Sequence, residues 1–265
     1  MPLPDLRVRV DVPEQMDDYA ITDARLTGAL RDLRWTNRLL GGYRASRAVL
    51  TPLFQRVDRC RILDLGTGDG EFVADLVRYG PRWGCHTEVV GIDANSATVD
   101  YARQTLDDTL PPTLRRRATI RTADALSIDV ADGAFDVAHA SLFLHHFFGN
   151  DLIRVLREMH RVSRWGILVN DLHRHPLAYA GIVLLASLLP VSAMYRHDAP
   201  ASVRRGFRRA ELHSLVQAAG LPPATIRWHW AFRWTADTID LDRFDDSVIS
   251  TRVSARAGSD ARSLG

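Results

Sequence analysis

Apolar residues recur at helical spacing over residues 21–40, where Leu26, Leu30, Leu33 and Leu40 fall together and Gly41-Gly42 follows as a stop. A second helix is expected over about 43–57. The period then changes. Ile62 to Leu65 reads as a buried strand, residues 66–70 as a tight glycine loop, and residues 71–79 return to helical spacing. The alternation continues with strands over 87–93, 118–122, 135–141 and 165–171 and helices over 96–107 and 152–162. A helix over 209–219, closed by Gly220, and an aromatic-rich strand over 225–234 complete the ordered pattern. Residues 247–265 lack periodicity and are expected to form a loose tail. Strands alternating with helices predict an α/β fold whose parallel sheet carries its ligand site at the carboxyl ends of the strands.

One stretch departs from this alternation. Residues 176–195 carry no charge and match the length of a bilayer span, but Pro190 breaks the backbone ladder and Pro176 suits a helix start. About thirteen helical positions remain, the length of a buried or interfacial helix and too short to span. Its apolar residues, among them Ile182, Leu185 and Leu188, cover every face, more than packing on one side requires. That surplus fits an apolar ligand, a homodimer contact or a membrane surface. Residues 1–12 mix charged and apolar positions with no apolar core and cleavage site, so no secretory signal is expected.

Composition narrows the chemistry. The 265 residues suit one generous domain, and with 46% hydrophobic and 25% charged residues the chain reads as globular. The 34 cations are all arginine, which excludes Schiff-base lysines, Walker-A phosphate loops and kinase strand lysines. Against 32 acids they leave a formal charge of +2, so the clusters Arg115-Arg116-Arg117 and Arg204-Arg205 read as solvated faces and no nucleic-acid partner is expected. Cys60 and Cys85 match no zinc or disulfide spacing. They suggest buried thiols in a reducing compartment, the cytoplasm.

The loop Asp64-Leu65-Gly66-Thr67-Gly68-Asp69-Gly70 lets the backbone turn sharply and approach a ligand, ahead of a helix N-terminus that favours an anionic group. Its GxGxG spacing differs from the dinucleotide GxGxxG. Asp93, followed by Ala94, ends the next strand, where an acid accepts both ribose hydroxyls. Asp124, followed by Ala125, lies after the third strand, where a carboxylate can accept from an adenine amine. With DLGTGDG, VVGIDAN and TADAL, the sequence resembles the class I S-adenosylmethionine-dependent methyltransferases over about residues 60–235. The resemblance implies a Rossmann-like, seven-stranded, mostly parallel sheet with helices on both faces and a helical cap. Only one strand of the usual terminal hairpin is legible. It further implies S-adenosylmethionine as cofactor, with the methionine end on Asp64, Gly66, Thr67, Gly68, Asp69 and Gly70, the ribose on Asp93 and Ala94, the adenine on Asp124 and Ala125, and Ser141 bordering the site. A NAD-binding Rossmann domain and a non-catalytic cofactor binder are the alternatives.

After the fourth strand, Leu144-His145-His146-Phe147 resembles the LHHF element of quinone-biosynthesis-type methyltransferases, which borders both the sulfonium and the acceptor. After the fifth, Asn170-Asp171-Leu172-His173-Arg174-His175 brings ionisable groups to the same sheet edge. Transfer to a hydroxyl needs its proton removed, and imidazole suits that task, so His146, His173 and His145, in that order, are the candidate bases. Each could instead cap a helix or satisfy carbonyls. No metal is expected, because the histidines lack HxxxH spacing and Ser141 stands where a metal-binding carboxylate would. DLRWTNRLLGG and VNDLHRHP resemble bacterial methyltransferases of polyketide and phenolic-lipid metabolism. The domain reading is a helical cap over 1–57, a catalytic domain over 58–246 with a cap insertion at 176–207, and the tail. The expected reaction is O-methylation of a hydrophobic phenolic or polyketide-like molecule, with C-methylation by proximity as its rival.

Overall fold

The computed structural model describes residues 4–244; the expected tail at 247–265 lies outside them. Two helices come first, α1 (Ala24–Leu39) and α2 (Gly42–Phe54), separated by Gly41 in the left-handed conformation. Then follow β1 (Arg59–Leu65), α3 (Glu71–Tyr79), β2 (His86–Asp93), α4 (Ser96–Thr109), the single turn α5 (Pro112–Arg115), β3 (Ala118–Thr122) and β4 (Phe135–Ser141). The second half is α6 (Gly149–Val162), β5 (Ser163–Leu172), α7 (Pro176–Leu188), α8 (Ala193–Arg205), α9 (Arg209–Ala218), β6 (Thr225–His229) and β7 (Arg233–Asp237).

The seven strands form one sheet in the order β3-β2-β1-β4-β5-β7-β6, parallel except for β7, which runs antiparallel to both neighbours. Apolar side chains from both faces of the inner strands enter separate cores. One packs Ile62, Val89 and Val137 against α2, α3 and α4, and the other packs Leu63, Ala138 and Val169 against α6 and α9. Cys60 and Cys85 are buried in the first, and burial pushes both thiols up, Cys85 to about 12.

Three expectations are corrected. The strand read over 225–234 is a hairpin, β6 and β7, whose turn at residues 230–232 contains no glycine; Phe232 itself takes φ +54°. Residues 193–205 of the insertion form a further helix, α8, begun by the Ser192 hydroxyl accepting from the Tyr195 amide. Finally, α2 does not belong to the cap: Val49, Leu50, Leu53 and Phe54 lie in the first core, so residues 42–54 support the sheet. The cap consists of α1, α7 and α8, joined through Leu33, Ile182, Ala186, Tyr195 and Ala199. Among the described residues no helix is long and apolar enough to cross a membrane, and α7 has the thirteen residues its prolines allow.

Candidate functional site

The carboxyl ends of the central strands open onto a cavity of about 960 Å³, bounded by the glycine loop, the loops after β2, β3 and β4, the cap helices and residues 11–19. Pockets for single ligands run to roughly 300–1,000 Å³, so the volume accommodates a nucleoside cofactor with an acceptor beside it.

Glycines shape the loop. Gly66, Gly68 and Gly70 have φ of +63°, +54° and +74°. A Cβ at Gly66 would fall 2.0 Å from the Phe143 ring, whereas at Gly68 the nearest atom, on Leu30, is 3.9 Å away. Backbone at Gly68 is therefore approachable from the cavity, and only glycine adopts this conformation freely.

The acids stand around that loop. Asp64 is buried, accepting from Thr67 Oγ1 (2.9 Å) and His139 Nδ1 (2.6 Å), while His139 Nε2 meets the Ser46 hydroxyl at 2.8 Å and Asn170 Nδ2 donates to that same oxygen. Cross-strand pairing creates this chain, because Asp64 and His139 are register partners in β1 and β4. Asp69 accepts from the Glu71 amide and pairs with Arg34 of α1, which ties the cap to the loop. Asp93 accepts from Gly68 N (3.2 Å) and Asn95 N (3.0 Å); burial raises its carboxyl against those two bonds. Beside it, Asn95 caps α4 with its oxygen, and its buried Nδ2 has no partner among the described residues. Asp124 is exposed at the rim, with Ala94, Ala125 and Ser141 also on the cavity wall. An approachable glycine backbone, a ring of carboxylates and an unmatched amide donor fit a cationic, hydroxyl-rich nucleoside, so S-adenosylmethionine suits the residues present.

The two histidines after β4 differ. His145 is buried, its Nδ1 donating to Asp171 (2.7 Å) while Nε2 lies 3.6 Å from Glu14, beyond hydrogen-bond distance. Burial opposes the charge of Asp171, but His145 outweighs it and holds the carboxyl below its usual range. His146 is partly exposed to the cavity, and its Nδ1 meets Asp17 at 2.6 Å. Its Nε2 has no hydrogen-bond partner among the described residues. Asp17 also accepts from Arg205 Nη1 (2.6 Å); burial works against its charge, yet His146 and Arg205 hold its carboxyl well below the usual range. Glu14, His145 and His146 each present a ligand atom within 4.8 Å of the others. Arg205 already pairs with Glu14, which sets a guanidinium against any cation there.

His173 does not line this cavity. Its Nδ1 accepts from Trp228 Nε1 (3.3 Å), and burial, with His175 and two arginines nearby, lowers its pKa to about 4. His175 instead caps α7, accepting from the Leu177 amide.

Sequence reasoning missed the segment that completes the wall. Arg9 donates to the carbonyls of His145 and Phe147, and Asp198 of α8 accepts from the amides of Gln15 and Met16. These bonds bring Glu14, Asp17 and Tyr19 to the cavity from a stretch with no periodic pattern. His139 was missed too, concealed inside a strand that reads as core. The apolar wall comes from Leu26 and Leu30 of α1 and Ala178, Ile182 and Leu185 of α7.

Comparison with known proteins places the chain among methyltransferases. A family model described as a methyltransferase domain matches residues 62–166. The demethylmenaquinone methyltransferase of Roseiflexus sp. (strain RS-1) is 30% identical over 200 residues, covering 71% of this chain and 79% of that protein. The magnesium-protoporphyrin O-methyltransferase of Rhodobacter capsulatus is 34% identical over 140 residues, covering 51% of this chain and 56% of that protein. Among solved structures, a SAM-dependent methyltransferase from Aquifex aeolicus superposes with a TM-score of 0.56 at 14% identity, over 78% of this chain and 95% of its own.

Proposed function

This chain belongs to the class I S-adenosylmethionine-dependent methyltransferases and acts on small molecules, and from that membership we propose that it methylates a hydroxyl of a hydrophobic, phenolic or polyketide-like acceptor with His146 as the base. The observation that carries this reading is that the acid-lined glycine loop, the unpartnered Nε2 of His146 and the apolar wall of α7 border one cavity. Bound there, the cofactor supplies an electrophilic methyl group on a sulfonium.

The residues of the chain divide the work. Gly66, Thr67, Gly68 and Gly70 seat the amino-acid end, with Asp64 fixed by His139 and Asp69 fixed by Arg34. Asp93 and Ala94 take the ribose, Asp124 and Ala125 the adenine, and Ser141 borders the reacting centre. Asp17 accepts from Nδ1 of His146, which leaves the lone pair on Nε2; as the carbon–oxygen bond forms, the hydroxyl proton passes to that nitrogen. His145, bonded to Asp171 through its amide and its Nδ1, positions this turn.

The outer face of α7 supports a lipid-soluble acceptor. Leu177, Leu184 and Leu188 are exposed there at 65%, 60% and 74%, and Leu177 also borders the cavity. An apolar wall exposed on one side and lining the site on the other suits docking at a membrane surface, from which the acceptor enters. Covering of this face by a second copy of the chain is the competing arrangement. Buried thiols fit a cytoplasmic enzyme.

The test is incubation with S-adenosylmethionine and para-alkylphenols of increasing chain length. Mass spectrometry should find the methyl ether, formed faster as the alkyl chain lengthens. Cofactor binding without ether formation from any hydroxyl acceptor would reject the reading.

A further inference from the structure

Three arginines are buried among the described residues: Arg174, Arg205 and Arg233. Two are saturated. Arg174 pairs with Glu211 and donates to the carbonyls of Leu6 and Gly206. Arg205 pairs with Glu14 and Asp17 and donates to the carbonyls of His145 and His146.

Arg233 differs from both. It is 3% exposed, at the start of β7, and its one acceptor is Asn37 Oδ1, which takes Nη2 at 2.7 Å. Nε and Nη1 are buried without a partner. No carboxylate of the described residues forms an ion pair with it. Asp171, on the adjacent strand, spends its charge on His145. Burial lowers the pKa of Arg233 to about 10, which still leaves it cationic at neutral pH. Asp171 favours the charge of Arg233 from a distance but makes no contact with it, and a buried guanidinium without a contacting carboxylate is costly; natural structures seldom leave such donors unmatched.

The side chain is nonetheless built into place. A Cβ at Gly42 would fall 1.7 Å from Asn37 Oδ1 and 2.9 Å from Arg233 Nη2, so a glycine is required where these two side chains meet. Gly42, read from the sequence as part of a helix stop, serves this close approach. Arg233, Asn37 and Tyr43 all line the cavity, as do residues 230–232 of the adjoining turn, and the surrounding wall is apolar.

We infer that Arg233 is an acceptor-binding residue and that the acceptor carries an acidic group, a carboxylate or an equally acidic enol, which forms an ion pair with its guanidinium while the apolar body lies along α7. The inference rests on the proposed acceptor chemistry and narrows it to amphiphilic acids. Nε and Nη1 are covered in this conformation, so engagement requires the groups over them to shift. Nε and Nη1 lie on opposite sides of the guanidinium, so each offers its own charge-assisted hydrogen bond to an acidic oxygen, and Nη1 forms a fork only together with Nη2.

The test uses para-octylbenzoate and its methyl ester, titrated calorimetrically into the full chain saturated with S-adenosylhomocysteine. The acid is expected to bind at least about tenfold more tightly than the ester. In Arg233→Leu the difference should disappear through loss of acid affinity, while ester affinity holds and the melting temperature does not fall, since the substitution removes a buried charge that makes no ion pair. Arg233→Lys, which keeps the charge without the fork, should retain part of the preference. Equal affinities in the parent, or a preference that survives Arg233→Leu, would overturn the inference. The parent comparison needs no variant to fold. Failure of S-adenosylhomocysteine to bind would count against the cofactor reading instead, so the two failures are separable.

Discussion

Nδ1 of His146 lies 2.6 Å from Oδ1 of Asp17, across 129 positions of chain. Asp17 is in turn held by Arg205 of α8, so the N-terminal segment, the turn after β4 and the cap insertion meet at one imidazole. A carboxylate that accepts from Nδ1 selects the tautomer whose free lone pair is on Nε2, the atom available to the acceptor.

His146→Gln is therefore expected to lower turnover by about 10²–10⁴, with cofactor affinity nearly unchanged, because a base acts in the transition state. Asp17→Asn should lose less, roughly tenfold or more, by releasing the ring. Asp17 has a folded-state carboxyl below its unfolded value, so its contribution to stability is present above pH ~4 and is lost only as pH falls further. Steady-state kinetics of both variants beside the parent checks the two losses.

Cofactor binding is the second point of attack. Asp93→Ala should abolish measurable binding of S-adenosylhomocysteine by calorimetry and leave the fold intact, since burial already raises that carboxyl and its ionised form gains little from folding. Asp124→Asn should cost on the order of 1–2 kcal/mol of binding, one charge-assisted bond becoming a neutral one. NAD should bind neither the parent nor the variants.

The contrast between these acids and Asp17 shows what a sequence makes legible. Asp64, Asp93 and Asp124 lie at strand ends beside a glycine loop, where local spacing reveals them. Asp17 and Glu14 reach the cavity through tertiary bonds to Asp198, Ser202 and Arg205, more than 180 residues away, and no local pattern encodes that. His139 was hidden for a related reason: its partner is opposite it in the sheet, and only the register reveals the pair. The terminal hairpin reads as one strand in the sequence because its turn, Trp230-Ala231-Phe232, lacks the glycine, asparagine or proline that marks such turns. At α6 the helix begins at Gly149 without a side-chain cap, so its first turn resembled a loop.

His139→Leu should destabilise the protein by about 3 kcal/mol, because it leaves the buried Asp64 carboxylate with Thr67 as its one remaining side-chain partner. Chemical denaturation measures this. Ser46→Ala, removing the hydroxyl one step further out, should cost only about 1–2 kcal/mol.

His173 predicts an acid sensitivity unrelated to catalysis. Its folded-state pKa of about 4 lies below the unfolded value near 6.5, so the unfolded chain binds a proton that the folded one refuses, and stability falls as pH drops from about 6.5 toward 4. His173→Phe should flatten the melting temperature over that window and leave turnover close to the parent's.

Locating the transferred methyl group tests the central claim most directly. S-adenosylmethionine labelled with deuterium in its methyl group is turned over with a long-chain para-alkylphenol, and the product is analysed by nuclear magnetic resonance and mass spectrometry. The account predicts the label on oxygen, as an ether, with formation slowed at least about a hundredfold in His146→Gln. Label on a ring carbon, or ether formed at the parent's rate by the variant, would contradict it.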